Sequence, residues 1–105
     1  MKIKAIKVGA HRYAVEVDSP HLTEDGDWAQ HSGRRRRLDV DTRDRPASAV
    51  AEDLVHEIVH ALFLDAGSDI DRDEEEAICT MLGPRLTAFL ADNPDAVREL
   101  LRMLK

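Results

Sequence analysis

The chain has 105 residues, 43 % hydrophobic and 34 % charged, with 21 acidic against 15 basic side chains and a net charge of −6. That length suits one compact domain, residues 1–105, with a single modest core. The acidic balance argues against a general nucleic-acid or membrane binder, and a lone cysteine, Cys79, excludes an internal disulfide.

The opening segment, "MKIKAIKVGAHRYAVEV", is basic but has no continuous apolar stretch, so it does not read as a secretory signal. No run approaches the length of a membrane span. The expectation is a soluble, cytoplasmic protein. Residues 2–8 alternate polar and apolar, with Ile3, Ala5 and either Ile6 or Val8 competing for the inward face. Gly9-Ala10 supplies a tight turn into "HRYAVEV", where Tyr13, Val15 and Val17 share a face, and the two runs form a β-hairpin. Residues 18–27, "DSPHLTEDGD", read as a loop of turn formers and carboxylates. "WAQHSG" and "RRRRLDVDT" read as two more short strands turning at Ser32-Gly33, with Leu38 and Val40 inward and Trp28 as a packing anchor.

The second half changes period. Pro46 and Ser48 mark a helix start, nothing breaks the pattern as far as Asp65, and Gly67 ends it. The acidic connector "DIDRDEEE" runs into a second helix from about Asp73, with Gly83-Pro84 expected to kink or interrupt it near Leu82. Asp92-Asn93-Pro94 closes that helix and opens a third, with Asn93 as cap and Val97, Leu100, Leu101 and Leu104 as a core-facing stripe. The class is α+β: a small N-terminal antiparallel sheet followed by about three helices.

The first of these helices carries "LVHEIVHAL". His56 and His60, four apart, project side by side from one face, a suitable bite for one metal ion. Zinc accepts neutral imidazole nitrogens and, in catalytic sites, keeps a position open for water. Glu57, offset by about 100°, sits beside the metal without having to bind it, placed as general base toward water that the metal acidifies. This is the HExxH pattern of metal-assisted peptide hydrolysis. Val55, Ile58, Val59, Leu62 and Phe63 cover most of the remaining helix surface, so the titratable groups lie in an apolar setting and need partners. The competing reading is a pair of core histidines satisfied by backbone carbonyls.

A third ligand is expected from the acidic run downstream. The apolar stripe of that helix is Ile78, Cys79, Leu82, Leu86, Phe89 and Leu90, and Glu75 falls at its centre. A carboxylate on a buried face calls for a cation, so Glu75 is chosen as ligand, with Glu76 second. Charges at a helix N-terminus are also favourable simply as solvated residues.

Together, "HEIVHAL", the acidic linker, "EEEAICTML" and "LADNP" resemble the small HExxH metallopeptidases, often phage-encoded, related to the ImmA/IrrE and gluzincin-like zinc proteases. The resemblance covers about residues 50–94 and the first strands only loosely. It implies Zn2+ on His56, His60 and an acidic residue of the 74–76 run, Glu57 as general base, a protein or peptide substrate, and a strand able to pair with that substrate. The helix-turn-helix and sensor regions of larger members have no counterpart in this chain.

Other features have plainer readings. "GRRRRLDV" is expected to be a charged strand edge, with Arg35 and Arg37 on one side and Arg34 and Arg36 on the other. Cys79 reads as core, although thiolate is also a soft zinc ligand. His11, His21, His31 and Tyr13 are candidates to assist a metal site, each more simply explained by packing or exposure. A non-catalytic zinc-binding module is the alternative class. Three protein ligands rather than four favour the enzyme.

Overall fold

A computed structural model describes residues 1–105. Strands β1 (Ala5–Val8) and β2 (His11–Val17) form the expected antiparallel hairpin, with Ile6 opposite Tyr13 and Val8 opposite His11. Gly9 takes φ 60° in the turn and lies against the Asp65 side chain, where a Cβ has no room. Tyr13 and Val15 point into the core, and Val17 does not.

Residues 18–27 are not all loop. Pro20–Asp25 form a short helix, α1. Pro20 sits in its first turn, and Gly26, at φ 74°, closes it by donating to the Leu22 and Thr23 carbonyls. The density of turn formers hid this pattern. Leu22 is fully buried.

Strands β3 (Ala29–Ser32) and β4 (Arg37–Val40) form a second antiparallel hairpin. The sheet is nonetheless mixed, with order β1-β2-β4-β3 and a parallel seam between β2 and β4. This corrects the all-antiparallel expectation. The α1 segment is long enough to carry the chain past the neighbour position, so β3 becomes an edge and β4 returns beside β2. The arginine run is also redistributed. Residues 33–36 form the hairpin turn, with Arg36 at φ 51°, and only Arg37 belongs to a strand. Arg36 lies over the Tyr13 ring, 5.9 Å from its centroid. Arg37 donates from Nε to Asp39, 2.9 Å away.

Asp39 is a charged residue at the heart of the sheet, 1 % exposed. Besides Arg37, it accepts from the Ser19 hydroxyl at 2.7 Å, and His21 Nε2 lies 3.4 Å away. These contacts tie the start of α1 to β4. Trp28 is not the expected packing anchor: it is 60 % exposed and stacked under the Arg45 guanidinium at 4.8 Å.

The core lies between the sheet and α2 (Ala47–Asp65), built from Val8, Tyr13, Val15, Leu38, Leu54 and Ala61, with Ile6 and Ile58 packed at its edge. Leu62 is half exposed, so α2 is less enclosed than its composition implies. Helix α3 (Arg72–Asp92) packs on the far side of α2. Asp71 caps it by accepting from the Asp73 amide at 2.7 Å. α3 runs through Gly83-Pro84 without the expected interruption. In a helix interior glycine costs about 1 and proline about 3 kcal/mol relative to alanine, so tertiary contact overrides local preference here.

Helix α4 (Pro94–Met103) contacts mainly α3 and buries no residue. The expectation that its leucines join the core is therefore corrected: Leu100, Leu101 and Leu104 are exposed. The Asn93 side chain does not cap α4. It donates instead to the Phe89 carbonyl at 2.9 Å, finishing α3. No helix is long and apolar enough to cross a membrane.

Candidate metal centre

The sequence of α2 places its apolar positions toward the sheet and turns His56 and His60 toward α3. The two imidazoles meet edge to face, 5.0 Å between centroids. His56, Glu57 and His60 each bring a potential ligand atom within 4.8 Å of the others. Glu57 is 9 % exposed, and one of its oxygens lies 3.7 Å from His56 Nε2. The core-histidine alternative is not what is found, because both imidazoles face carboxylates rather than backbone carbonyls.

Those carboxylates come from the first turns of α3. Glu76 spans the pair: Oε1 lies 2.9 Å from His56 Nε2, and Oε2 lies 2.8 Å from His60 Nε2. Glu75 takes the outer nitrogen, His60 Nδ1, at 2.7 Å. Helical phase singled out Glu75, and it is the more buried of the two side chains, 26 % against 56 % exposed. Burial and position diverge, however. The sequence ranks Glu75 first as ligand, whereas it is Glu76 that faces the two Nε2 atoms. Glu74 is exposed and makes no side-chain hydrogen bond to either histidine. Thr80 donates its hydroxyl to Glu76 Oε1 at 3.4 Å.

The electrostatics reflect this crowding. Burial pushes the Glu57 carboxyl up to about 7, with His60 opposing and Glu76 adding to the rise. Burial alone would lower His60, but the carboxylates of Glu75, Glu57 and Glu76 outweigh it and hold the imidazole above its ordinary value. Cys79, fully buried beneath the site, has its thiol pushed up to about 12 by burial and by Glu75, Glu76 and Glu57. It is a protonated core residue.

His31 and Tyr13, two of the four candidates to assist a metal site, lie together beside the imidazoles. His31 is paired with Leu38 on β4, which is paired with Val15 on β2, so the three form one row on the face that meets α2. Its ring lies parallel to that of His60, within 2° and 6.5 Å between centroids. Its Nε2 meets the Tyr13 hydroxyl at 3.3 Å, the one side-chain hydrogen bond made by either residue. Tyr13 is 2 % exposed, so a buried hydroxyl is committed to holding this ring. Burial, then His60 and Arg36, lower the His31 pKa against the pull of Glu75, which favours the neutral ring. The alternation of β3 with the buried Leu38 was a signal for its facing, but only with the pairing known. His21 belongs to the Asp39 cluster, and His11 is exposed at the start of β2.

These groups open into a cleft of about 670 Å³. β3 and the residues before it, including Asp27, Trp28 and Gln30, form one wall; α2 forms the floor; Arg72, Glu75 and Glu76 of α3 form the other wall. Two imidazole nitrogens and a carboxylate converging beside a second, buried carboxylate make a donor set suited to zinc. No family model, curated protein or solved structure matches the chain.

Proposed function

We propose that the cleft binds a divalent cation, zinc by its donor chemistry, and that the protein is a metal-dependent peptide hydrolase. The observation that carries this reading is Glu76 bridging the Nε2 atoms of His56 and His60 next to buried Glu57. His56, His60 and Glu76 would hold the ion. Glu75, hydrogen-bonded to His60 Nδ1, would fix the orientation of that ring and raise its basicity, as outer-sphere carboxylates do at histidine sites. When bound, such a cation polarises a carbonyl and acidifies water.

The chain's own groups supply the rest. Glu57 accepts a proton from the attacking water and returns it to the leaving amine. Its burial next to His56 places it for both directions of transfer. His31, held at Nε2 by Tyr13, has Nδ1 left to hydrogen-bond a substrate oxygen as charge develops there. β3 is a sheet edge along the cleft, so its free backbone groups are able to pair with an extended peptide.

The test combines metal analysis of purified protein with a peptide-library cleavage assay of wild type and Glu57→Gln. Expected are one zinc per chain in both proteins and cleavage by wild type alone. Zinc in both with cleavage in neither would favour the non-catalytic binding module. Absence of zinc binding would remove the reading.

A further inference from the structure

Gly83 is buried in the interior of α3, where that helix lies against α2. A Cβ at position 83 would stand 3.3 Å from the Cβ of His56, 3.4 Å from its Cα and 3.6 Å from the Glu52 carbonyl oxygen. α3 therefore rests on the backbone of a residue that carries one of the two imidazoles. Glu76 lies seven residues earlier, two helical turns, on the same face as Gly83. The helix between them is continuous. The depth at which α3 seats on His56 thus governs how far the Glu76 carboxylate stands from both rings, now 2.9 and 2.8 Å.

We infer that Gly83 is a positioning residue of the metal centre: its missing side chain sets the spacing between α2 and α3 that brings Glu76 onto both imidazoles. The inference rests on the metal site proposed above. It also accounts for the glycine of the Gly-Pro pair in the middle of the helix. Pro84 contributes no amide hydrogen, and the hydroxyl of Thr87 donates to the Gly83 carbonyl at 2.7 Å. Local helix preference is poor at both positions, and contact with His56 explains why one of them carries no side chain.

The scale of the effect follows from two tolerances. Carbon contacts are comfortable at about 3.5–4.0 Å, so a methyl group at 83 demands a shift of a few tenths of an ångström. Metal–ligand distances are held to about 0.2 Å. The shift and the tolerance are of the same size. Folding carries two opposed contributions of similar size: alanine is the better helix former, and the tight contact with His56 works against it.

The experiment measures zinc dissociation constants by chelator competition, and melting temperatures without metal, for Gly83→Ala and Gly83→Val. Each is made in the wild-type and the Glu76→Gln backgrounds. Gly83→Ala is expected to remain folded without metal, melting within about 8 °C of wild type because the two folding contributions offset, and to bind zinc about tenfold more weakly, within the range of outer-sphere effects on metal sites. Gly83→Val should bind more weakly still. In the Glu76→Gln background the alanine penalty should shrink to about twofold or less, because coupled residues are not additive. Unchanged zinc affinity in Gly83→Ala overturns the inference, as does an equal penalty in the Glu76→Gln background. Wild type without zinc affinity overturns the metal site itself, a result distinguishable from the others because no variant is needed to see it.

Discussion

Glu76 and His60 are sixteen residues apart, yet Glu76 Oε2 stands 2.8 Å from His60 Nε2 while its other oxygen reaches His56 at 2.9 Å. Glu75 meets the same ring of His60 from the opposite side, at Nδ1. Adjacent carboxylates on one helix thus divide the two nitrogens of one imidazole.

That division orders two substitutions. Glu76→Gln removes a proposed ligand, and Glu75→Gln removes only the partner of an outer nitrogen. Zinc affinity measured by chelator competition should fall by about 10- to 100-fold for Glu75→Gln and further for Glu76→Gln. The opposite order would return Glu75 to the ligand role that helical phase suggests.

Glu57 links the site to stability. Burial raises its carboxyl from 4.5 to about 7 in the folded chain. A folded-state pKa above the unfolded one means the native chain holds the proton more tightly between those values, so stability is lost as pH rises through that window. Glutamine cannot ionise. Metal-free Glu57→Gln should therefore gain on wild type by about 1–3 kcal/mol between pH 5 and pH 8. Urea unfolding at the two pH values measures the difference, and a gap independent of pH would contradict the burial argument.

His31 and Tyr13 call for a kinetic and a metal readout together. His31→Phe keeps a ring of similar breadth but removes the donor. It should lower kcat/KM by about 10²–10³, the size of a lost oxyanion donor, with zinc content unchanged. Tyr13→Phe should have a smaller effect in the same direction, because it releases the ring without removing it. Loss of zinc from His31→Phe would make His31 a ligand instead.

Asp39 predicts a purely structural loss. It is almost fully buried and holds Ser19 and Arg37. Asp39→Ala leaves Arg37 without its carboxylate partner, but Arg37 retains some exposure, so the cost should lie below that of a fully buried orphan charge, about 2–3 kcal/mol. Denaturant unfolding at neutral pH should show that loss with zinc affinity within about twofold of wild type. A matching loss of zinc affinity would show that the Asp39 cluster also shapes the cleft.

Local pattern was enough for much of this. The 3.6-residue period of a helix is sufficient to bring His56 and His60 to one face with Glu57 beside them, and alternation with a Gly9-Ala10 turn is sufficient for the first hairpin. The inward facing of Leu38 and Val40 follows in the same way, since each of these relations spans only a few residues. Other relations belong to the tertiary structure alone. Which strand lies beside β2 depends on how far the α1 segment carries the chain, and that places β3 at the edge and His31 over the site. Whether Glu75 or Glu76 reaches the Nε2 atoms depends on the seating of α3 on α2. Helical phase reports which side of a helix is buried, but not the distance or rotation at which it meets its neighbour. Those are decided by packing, here at Gly83 against His56, between residues with no periodic relation in the chain.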